Sequence, residues 1–514
     1  MKSRNYLPSR APWLLSAVGL LSFVMATLAQ PTLPNINTNN VVNITNFGAV
    51  SSTTLTNTTA IQNAINSAAT TNGGCTVEIP AGTYLSGPLT LLSGINLQID
   101  TNAMLQFLPE SKYPDATGTP ADPITCSSLT DIEISGSGTI DGNGAGWWSA
   151  NPPSRPYMIY FSKCVRVLIQ NVTLQNPPMM HMVFKNGGGN ITIQGITINT
   201  PATSPNTDGM DLVGTNCLVQ NCSISDGDDN IAIGSSSSSA LCNNILVTNC
   251  AFGSGHGVSL GGNTLSGVSN LTVTNCTFNG TEYGIRMKSN DNTSGGSGEG
   301  GIAQDLNYYY IGMTNIVDGA IVIYSYYASG GEFGTPTSVT PYFASTQAVT
   351  TATIPVWRNI TISNVTATVA SGGIAGIIWG RMEVPATNII LSHVNITAPN
   401  SFDVYNAGGV QFVDSQITVP SGTTSFLLFD AQLIVTNSVF ATNLITLDGL
   451  TTNGYGNSLA FYNAQASLKN TNLLGSGPLT LADSILTISN NFMLFPGTVL
   501  NFTLDSKTNR VAVV

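Results

Sequence analysis

Three stretches in the middle of the chain decide the fold: Asn216–Ile224 (NCLVQNCSI), Asn244–Phe252 (NILVTNCAF) and Asn270–Phe278 (NLTVTNCTF). Each opens on Asn, alternates apolar with polar residues, turns at a second Asn and resumes with another apolar pair. Working outward, the same phrase stands at Val167–Leu174 (VLIQNVTL), Asn190–Ile198 (NITIQGITI), Asn359–Ala367 (NITISNVTA) and Asn388–Ile396 (NIILSHVNI). Its central residue falls at Asn171, Gly195, Asn221, Asn249 and Asn275, in steps of 24, 26, 28 and 26 residues. A near-constant spacing of this size marks a solenoid, and the period of two within each phrase marks a strand. One repeat cannot close a core alone, but stacked repeats bury a continuous apolar column. The chain therefore reads as all-β, a right-handed parallel β-helix with one coil per repeat, since parallel crossovers are right-handed. On this register Asn171, Asn221, Asn249, Asn275 and Asn364 should stack as a side-chain ladder. Cys222, Cys250 and Cys276 should stack inside as small core residues, near enough for neighbours to pair as disulfides.

The two ends read differently. Thr58–Ala69 (TTAIQNAINSAA) has helical apolar spacing, with Thr58 or Thr59 as N-cap and Gly73-Gly74 as the stop. A helix there would cap the open end of the solenoid, where bare strand edges invite aggregation. Residues 1–29 read as an export leader: Lys2, Arg4 and Arg10, an apolar run from Trp13 to Met25, then Ala26–Ala29 for cleavage. No other stretch is long enough to span a bilayer, so an exported, soluble chain free of the membrane is expected, acting as a monomer. The β-helix is assigned to 30–419. Residues 420–514 still alternate and are read as further coils or a small β-region.

Composition narrows the function. The 514 residues carry a net charge of −11, and only 8% are charged. That balance argues against nucleic acid, which wants a basic face, but leaves room for an acidic polymer at a local basic pocket. The eight Cys contain no C-x-x-C pair, so no zinc site and no metal or cofactor is expected, and their pairing is open among 105 combinations.

Against this sparse background, charge gathers between Asn206 and Lys288: Asn206-Thr207-Asp208, Gly227-Asp228-Asp229, Gly255-His256-Gly257 and Arg286-Met287-Lys288. N-T-D or G-D-D alone is an ordinary turn sequence. Together, one coil apart and followed by a scarce His and a basic pair, they assemble the parts for cleaving an acidic sugar chain. Glycoside hydrolysis takes two carboxyl groups, one giving a proton and one activating water, spaced about 6.5–9.5 Å apart when configuration inverts. Successive strand residues face opposite ways, so Asp228 and Asp229 can share a site only on a bend, which Gly227 permits. Arg286 and Lys288, two apart on a strand, face one side and can grip a carboxylate.

The order of these motifs resembles the polygalacturonase family of glycoside hydrolases, which cleave pectin. Phe47-Gly48-Ala49, Ile79–Tyr84 (IPAGTY), Asp141-Gly142 with Trp147-Trp148, and Asn176-Pro177-Pro178 resemble other phrases of that family, and the likeness runs from about Asn43 to Ala398. The resemblance implies a parallel β-helix that hydrolyses α-1,4-galacturonosyl linkages in pectic polysaccharide with inversion, outside the cell. It implies Asp228 as general acid, Asp208 and Asp229 as the bases that activate water, and His256 as support. It implies Arg286, Lys288, Asn206 and, through the phrase Ile321–Tyr327, Tyr327 as substrate contacts. The chain departs from the family at Asn230 and Phe252, where Cys often stands, so that disulfide is not expected. Asp228-Asp229, rather than Asp-Glu, favours the galacturonan-cleaving branch over the rhamnogalacturonan branch. The segment Ala328–Pro355 could close one end of a groove and favour exo action. The competing readings are a related pectic glycosidase, a pectate lyase on the same architecture, and a pectin-binding protein without activity.

Overall fold

The structure, a computed structural model, describes residues 30–513 except 290–299, 328–353, 382, 422, 449–457, 470–471, 475–478, 483, 490–492, 495–499 and 504–509. The expected leader and nearly all of the segment 328–355 lie outside the described residues. The rest is a right-handed parallel β-helix with three strands per coil. The first face stacks Val165–Gln170, Gly189–Gln194, Thr215–Gln220, Cys242–Thr248 and the start of Val268–Asn279. The second stacks Thr173–Gln175, Thr197–Asn199, Ser223–Ser225 and Ala251–Phe252. The third stacks Ile159–Ser162, Met182–Lys185, Met210–Leu212, Ile231–Ile233, Val258–Leu260, Tyr283–Lys288 and Gly319–Tyr324. The parallel pairing runs on through Thr424–Thr436, Ser458–Tyr462, Leu479–Ala482 and Leu500–Thr503.

The core follows from this register. Ile191, Cys217, Ile245, Leu271, Leu306, Ile360 and Ile389 lie one above the next and are buried. A coil needs at least one sharp corner, and here the corner between first and second faces is a single left-handed residue. Asn171, Gly195, Asn221, Asn249 and Asn275 have φ of 63°, 63°, 57°, 55° and 54°. Asn is, after Gly, the side chain that tolerates this region best, which is why the repeat is punctuated by Asn. The next position turns inward, so Val172, Ile196, Cys222, Cys250 and Cys276 form a buried column, and all eight cysteines are free thiols.

The expected ladder of side chains along the Asn171 column is replaced by another. Among the described residues the bonded ladder runs through the second left-handed column: Asn244 Nδ2 donates to Asn216 Oδ1 at 2.7 Å and Asn270 Nδ2 to Asn244 Oδ1 at 3.2 Å. It resumes at Asn359 to Asp305 (3.0 Å) and Asn388 to Asn359 (2.9 Å). The Asn171 column is interrupted by Gly195 and Tyr310, which also take positive φ there, and among the described residues its Asn side chains bond one another further along, at Asn463 Nδ2 to Asn437 Oδ1 (2.9 Å), so conformation is what its Asn positions share.

The helix Thr58–Ala68 buries Ile61, Ala64, Ile65 and Ala68 against the first coil and joins them to the core. Its N-cap is Asn57, not Thr58 or Thr59. Asn57 spends its side chain on Val50 (2.7 Å), and Thr58 Oγ1 accepts from Gly87 N at 2.6 Å, so both serve the neighbouring loops. The helix also stops well before Gly73, because Thr70 Oγ1 turns back onto Ser67 O at 2.7 Å.

If φ selects the corner residue, Asn275→Ala should cost about 1 kcal/mol in urea unfolding, whereas Asn275→Gly should cost less. Equal losses for the two would show that the Asn side chain, and not its backbone, is what the corner needs.

Candidate active site

Every predicted site residue falls on or beside the outward side of the third face. Met210 and Leu212, Ile231 and Ile233, Val258 and Leu260, and Ile285 and Met287 point inward and are buried. Asp211, Ala232, Ser259 and Arg286 fill the outward column between them. Asp208, Asp228, Asp229 and His256 sit in the loops that enter these strands. The loops hold one another: Gly227 N donates to Thr207 Oγ1 at 3.1 Å, and Thr207 Oγ1 pairs with Ser204 Oγ at 2.7 Å. A Cβ at Gly227 would overlap Ser204 O, so only glycine lets the bend carrying Asp228 and Asp229 pack against the Asn206 loop. On that bend both carboxyls face the same way, and both reach His256.

Asp229 is the hub. Its Oδ1 accepts from Ser259 Oγ at 2.7 Å and Arg286 Nη1 at 3.1 Å, and its Oδ2 from Lys288 Nζ at 2.8 Å. Burial opposes its charge, yet Lys288, His256 and Arg286 together hold its carboxyl well below the ordinary range. His256 Nδ1 lies 3.1 Å from Asp228 Oδ1 and 3.5 Å from Asp229 Oδ1, and its Nε2 lies 3.1 Å from Glu282 Oε2. Carboxylates near both ring nitrogens favour the imidazolium, while Arg286 Nη1, a donor only, lies 3.2 Å from the same Nδ1 and opposes it. Burial works against that charge, but Asp228 and Asp229 outweigh it and push His256 up to about 10.

Asp208 is the opposite case. It is buried, one oxygen (Oδ1) has no hydrogen-bond partner, and burial with the nearby charges of Asp228, Asp211 and Asp229 pushes it well above its usual value. Burial does the same for Asp226, and Asp211 is pushed up to about 7 by burial and by Asp229. One carboxylate is thus fixed as an anion amid carboxyls that keep their protons. Asp228 is the most open of the triad, its side chain 21% exposed against 5% for Asp229, and Asn206 Nδ2 donates to its Oδ2 at 3.2 Å. Tyr327 stands at the margin, its ring 5.0 Å from Lys288 Nζ.

Asp228, Asp229 and His256 also lie close enough to share a metal ion, with donor atoms within 4.8 Å of one another. Lys288 and Arg286 already occupy both oxygens of Asp229, so the positive charge such a set would attract is supplied by side chains.

Several contributors carried no recognisable motif. Arg155 reaches in from the loop before the third face: its Nη1 donates to Pro178 O (3.1 Å) and Pro205 O (2.7 Å), and its Nη2 to Asn206 Oδ1 (2.7 Å). It thereby fixes Asn206, which holds Asp228. His181 is buried and neutral, lowered to about 4 by burial, and its ring and backbone both bond Asp208 O. Its scarcity was the available signal, since the chain has three His. Asn230, at a position where Cys was the family habit, bridges the same loops without a disulfide: Nδ2 donates to Asp226 Oδ2 (3.1 Å) and Ser254 O (2.8 Å), and Oδ1 accepts from Gly257 N (2.9 Å).

Comparison with known proteins bears on the family and the fold. The family described as "Glycosyl hydrolases family 28" matches residues 70–411. An endo-polygalacturonase of Pectobacterium carotovorum subsp. carotovorum is 29% identical over 382 residues, which are 68% of this chain and 87% of that protein. The family 28 exopolygalacturonase of Yersinia enterocolitica has a similar fold, with TM-score 0.63 at 20% identity over 77% of this chain and 78% of that one. A hyperthermoactive exopolygalacturonase from Thermotoga maritima gives TM-score 0.59 at 21% identity over 76% and 94%.

Removing the Arg155 fork should loosen Asn206 and misplace Asp228. Arg155→Ala should lower turnover about tenfold to a hundredfold in a steady-state assay, and Arg155→Lys should restore little, because an ammonium cannot span the same carbonyls. Full activity in both variants would separate Arg155 from the site.

Proposed function

The chain belongs to family 28 of the glycosyl hydrolases, and on that footing we propose that it hydrolyses the α-1,4-galacturonosyl linkages of pectin by a single displacement with inversion. The observation that carries this is Asp229 fixed as an anion on the same bend as the more open carboxyl of Asp228. Asp228 gives its proton to the glycosidic oxygen as the bond from C1 to that oxygen breaks. Water adds to C1 from the opposite face and loses a proton to Asp229; Asp208, expected from the family resemblance as a second base, keeps its own proton in this setting and can only position the water. The product end is inverted, and the proton count balances between the two aspartates. His256, held as imidazolium, orients Asp228 against Asp229.

Arg286 and Lys288 supply the basic pocket that an acidic sugar needs, with Tyr327 beside Lys288 and Asn206 beside Asp228. Action as a monomer is part of this proposal. An extracellular setting follows from reading residues 1–29 as an export leader. Among the described residues no helix is long and apolar enough to cross a membrane.

Polygalacturonate with chelator present should yield new reducing ends without unsaturated product. Asp228→Asn should lower turnover by about 100- to 10,000-fold, the range for a lost general acid. Unsaturated product would replace the hydrolase reading with a lyase, and a near-normal Asp228→Asn rate would remove Asp228 as the acid. Product sizes read on the same samples separate endo from exo cleavage.

The pH dependence follows from the buried carboxyls. Asp229 has lost its proton below its ordinary range, Asp208 holds its own well above that range, and Asp211 is pushed up to about 7. The ratio kcat/KM should therefore hold through weakly acidic pH and fall as pH rises through about 7, where Asp211 ionises beside Asp229. Stability should fall in the same direction. The native state keeps the Asp211 proton that the unfolded chain gives up near pH 4, so native protons exceed unfolded ones across that window. A profile flat to high pH would contradict this charge assignment.

A further inference from the structure

The outward side of the third face carries a second cation that the reaction above does not use. Continuing the strand register, one column reads Lys185, Val213, Gly234, Gly261, Lys288. Four strand spacings of ~4.8 Å put the two lysines roughly 19 Å apart along the helix. The positions between them are small, and a cavity of about 230 Å³ opens there, lined by Lys185, Asp211, Val213, Gly234, Ser235 and Asn263 among others. It adjoins Asp229 through Asp211, which shares the outward column with Ala232, Ser259 and Arg286.

Two polar groups in its wall are only partly engaged. Lys185 Nζ donates to Tyr157 OH at 2.9 Å and lies 4.6 Å from the Tyr157 ring centre, and among the described residues no carboxylate lies within ion-pair distance of it. Asp211 Oδ1 is buried with no hydrogen-bond partner. A half-buried ammonium with donors to spare, opposite a carboxyl with an unpaired oxygen and above a floor without large side chains, suits a ring that carries both an acid group and hydroxyls.

We propose that this cavity is a further sugar subsite, on the N-terminal side of the cleavage position, in which Lys185 takes the carboxylate of a uronate unit and Asp211 a hydroxyl of the same ring. The proposal rests on the pectic-substrate reading above. It makes Lys185 a determinant of affinity for chains long enough to reach it, not of the chemical step. Burial and Asp229 favour a protonated Asp211 below neutral pH, so its carboxyl does not repel the incoming anion there.

The test is steady-state kinetics on polygalacturonate with wild type, Lys185→Met, Lys185→Arg and Ser236→Trp, the last filling the cavity from an exposed position on its rim. Lys185→Met should raise KM about tenfold, as for one lost charge-assisted contact, with kcat within about twofold of wild type. The gap should narrow at high salt. Lys185→Arg should stay near wild type and Ser236→Trp should raise KM as Lys185→Met does. Unchanged KM in Lys185→Met and Ser236→Trp, with wild type active, overturns the subsite alone. A loss of kcat shared by Lys185→Met and Lys185→Arg assigns Lys185 to holding Tyr157 instead, and also overturns it. Wild type that releases no reducing ends from polygalacturonate overturns the functional reading and the subsite together.

Discussion

The corner between the first two faces is the constraint on which the rest depends. A coil can turn there only through a residue with positive φ, and the chain supplies one per repeat at Asn171, Gly195, Asn221, Asn249 and Asn275. Fixing that residue fixes which way every neighbouring side chain points, because a shift of one position would exchange core and solvent faces. The buried column of Val172, Ile196, Cys222, Cys250 and Cys276 is one consequence. The other is the site, whose parts lie 20 to 80 residues apart in sequence and come within hydrogen-bond distance only because each coil has the same register on the third face.

Inside that register the site concentrates charge where burial penalises it. Asp229, Arg286 and Lys288 are 4%, 2% and 4% exposed. Taking such groups from water costs several kcal/mol per ion unless each is matched, and here the matching is close: two cations and a hydroxyl on one carboxylate. The same enclosure keeps protons on Asp208 and Asp226. Stability and reactivity are therefore one arrangement, since the cations that make Asp229 tolerable in the interior also keep it ionised.

The fold was legible because its signal is periodic. The Asn corners, the alternation in each phrase and the helical spacing of Thr58–Ala68 are local patterns, and stacking turns them into architecture. The charged triplets were legible because a chain with few charges had gathered Asp208, Asp228, Asp229, His256, Arg286 and Lys288 in one stretch. Arg155, His181 and Asn230 were not, since each acts across coils on a backbone carbonyl or an amide, and nothing in their local sequence distinguishes such a bond from solvent exposure. The cap of the helix was misread for a related reason: Asn57 and Thr58 have the right chemistry for capping, but Val50 and Gly87, distant in sequence, compete for their side chains. The bonded ladder was misplaced by one column, because sequence shows which residues repeat and not which of two left-handed corners brings their amides together.

The engagement of Arg286 and Lys288 has a consequence for the proposed reaction. Both are paired with Asp229. A uronate carboxylate arriving beside them adds a second anion to the same two cations. Sharing weakens their hold on Asp229, and a carboxylate less stabilised by nearby positive charge is a stronger base. On this reading the basicity needed to deprotonate water rises when an acidic sugar is bound, and a neutral sugar in the same position would leave both cations on Asp229. The cation pair would then discriminate for charge twice, once in binding and again in the strength of the base.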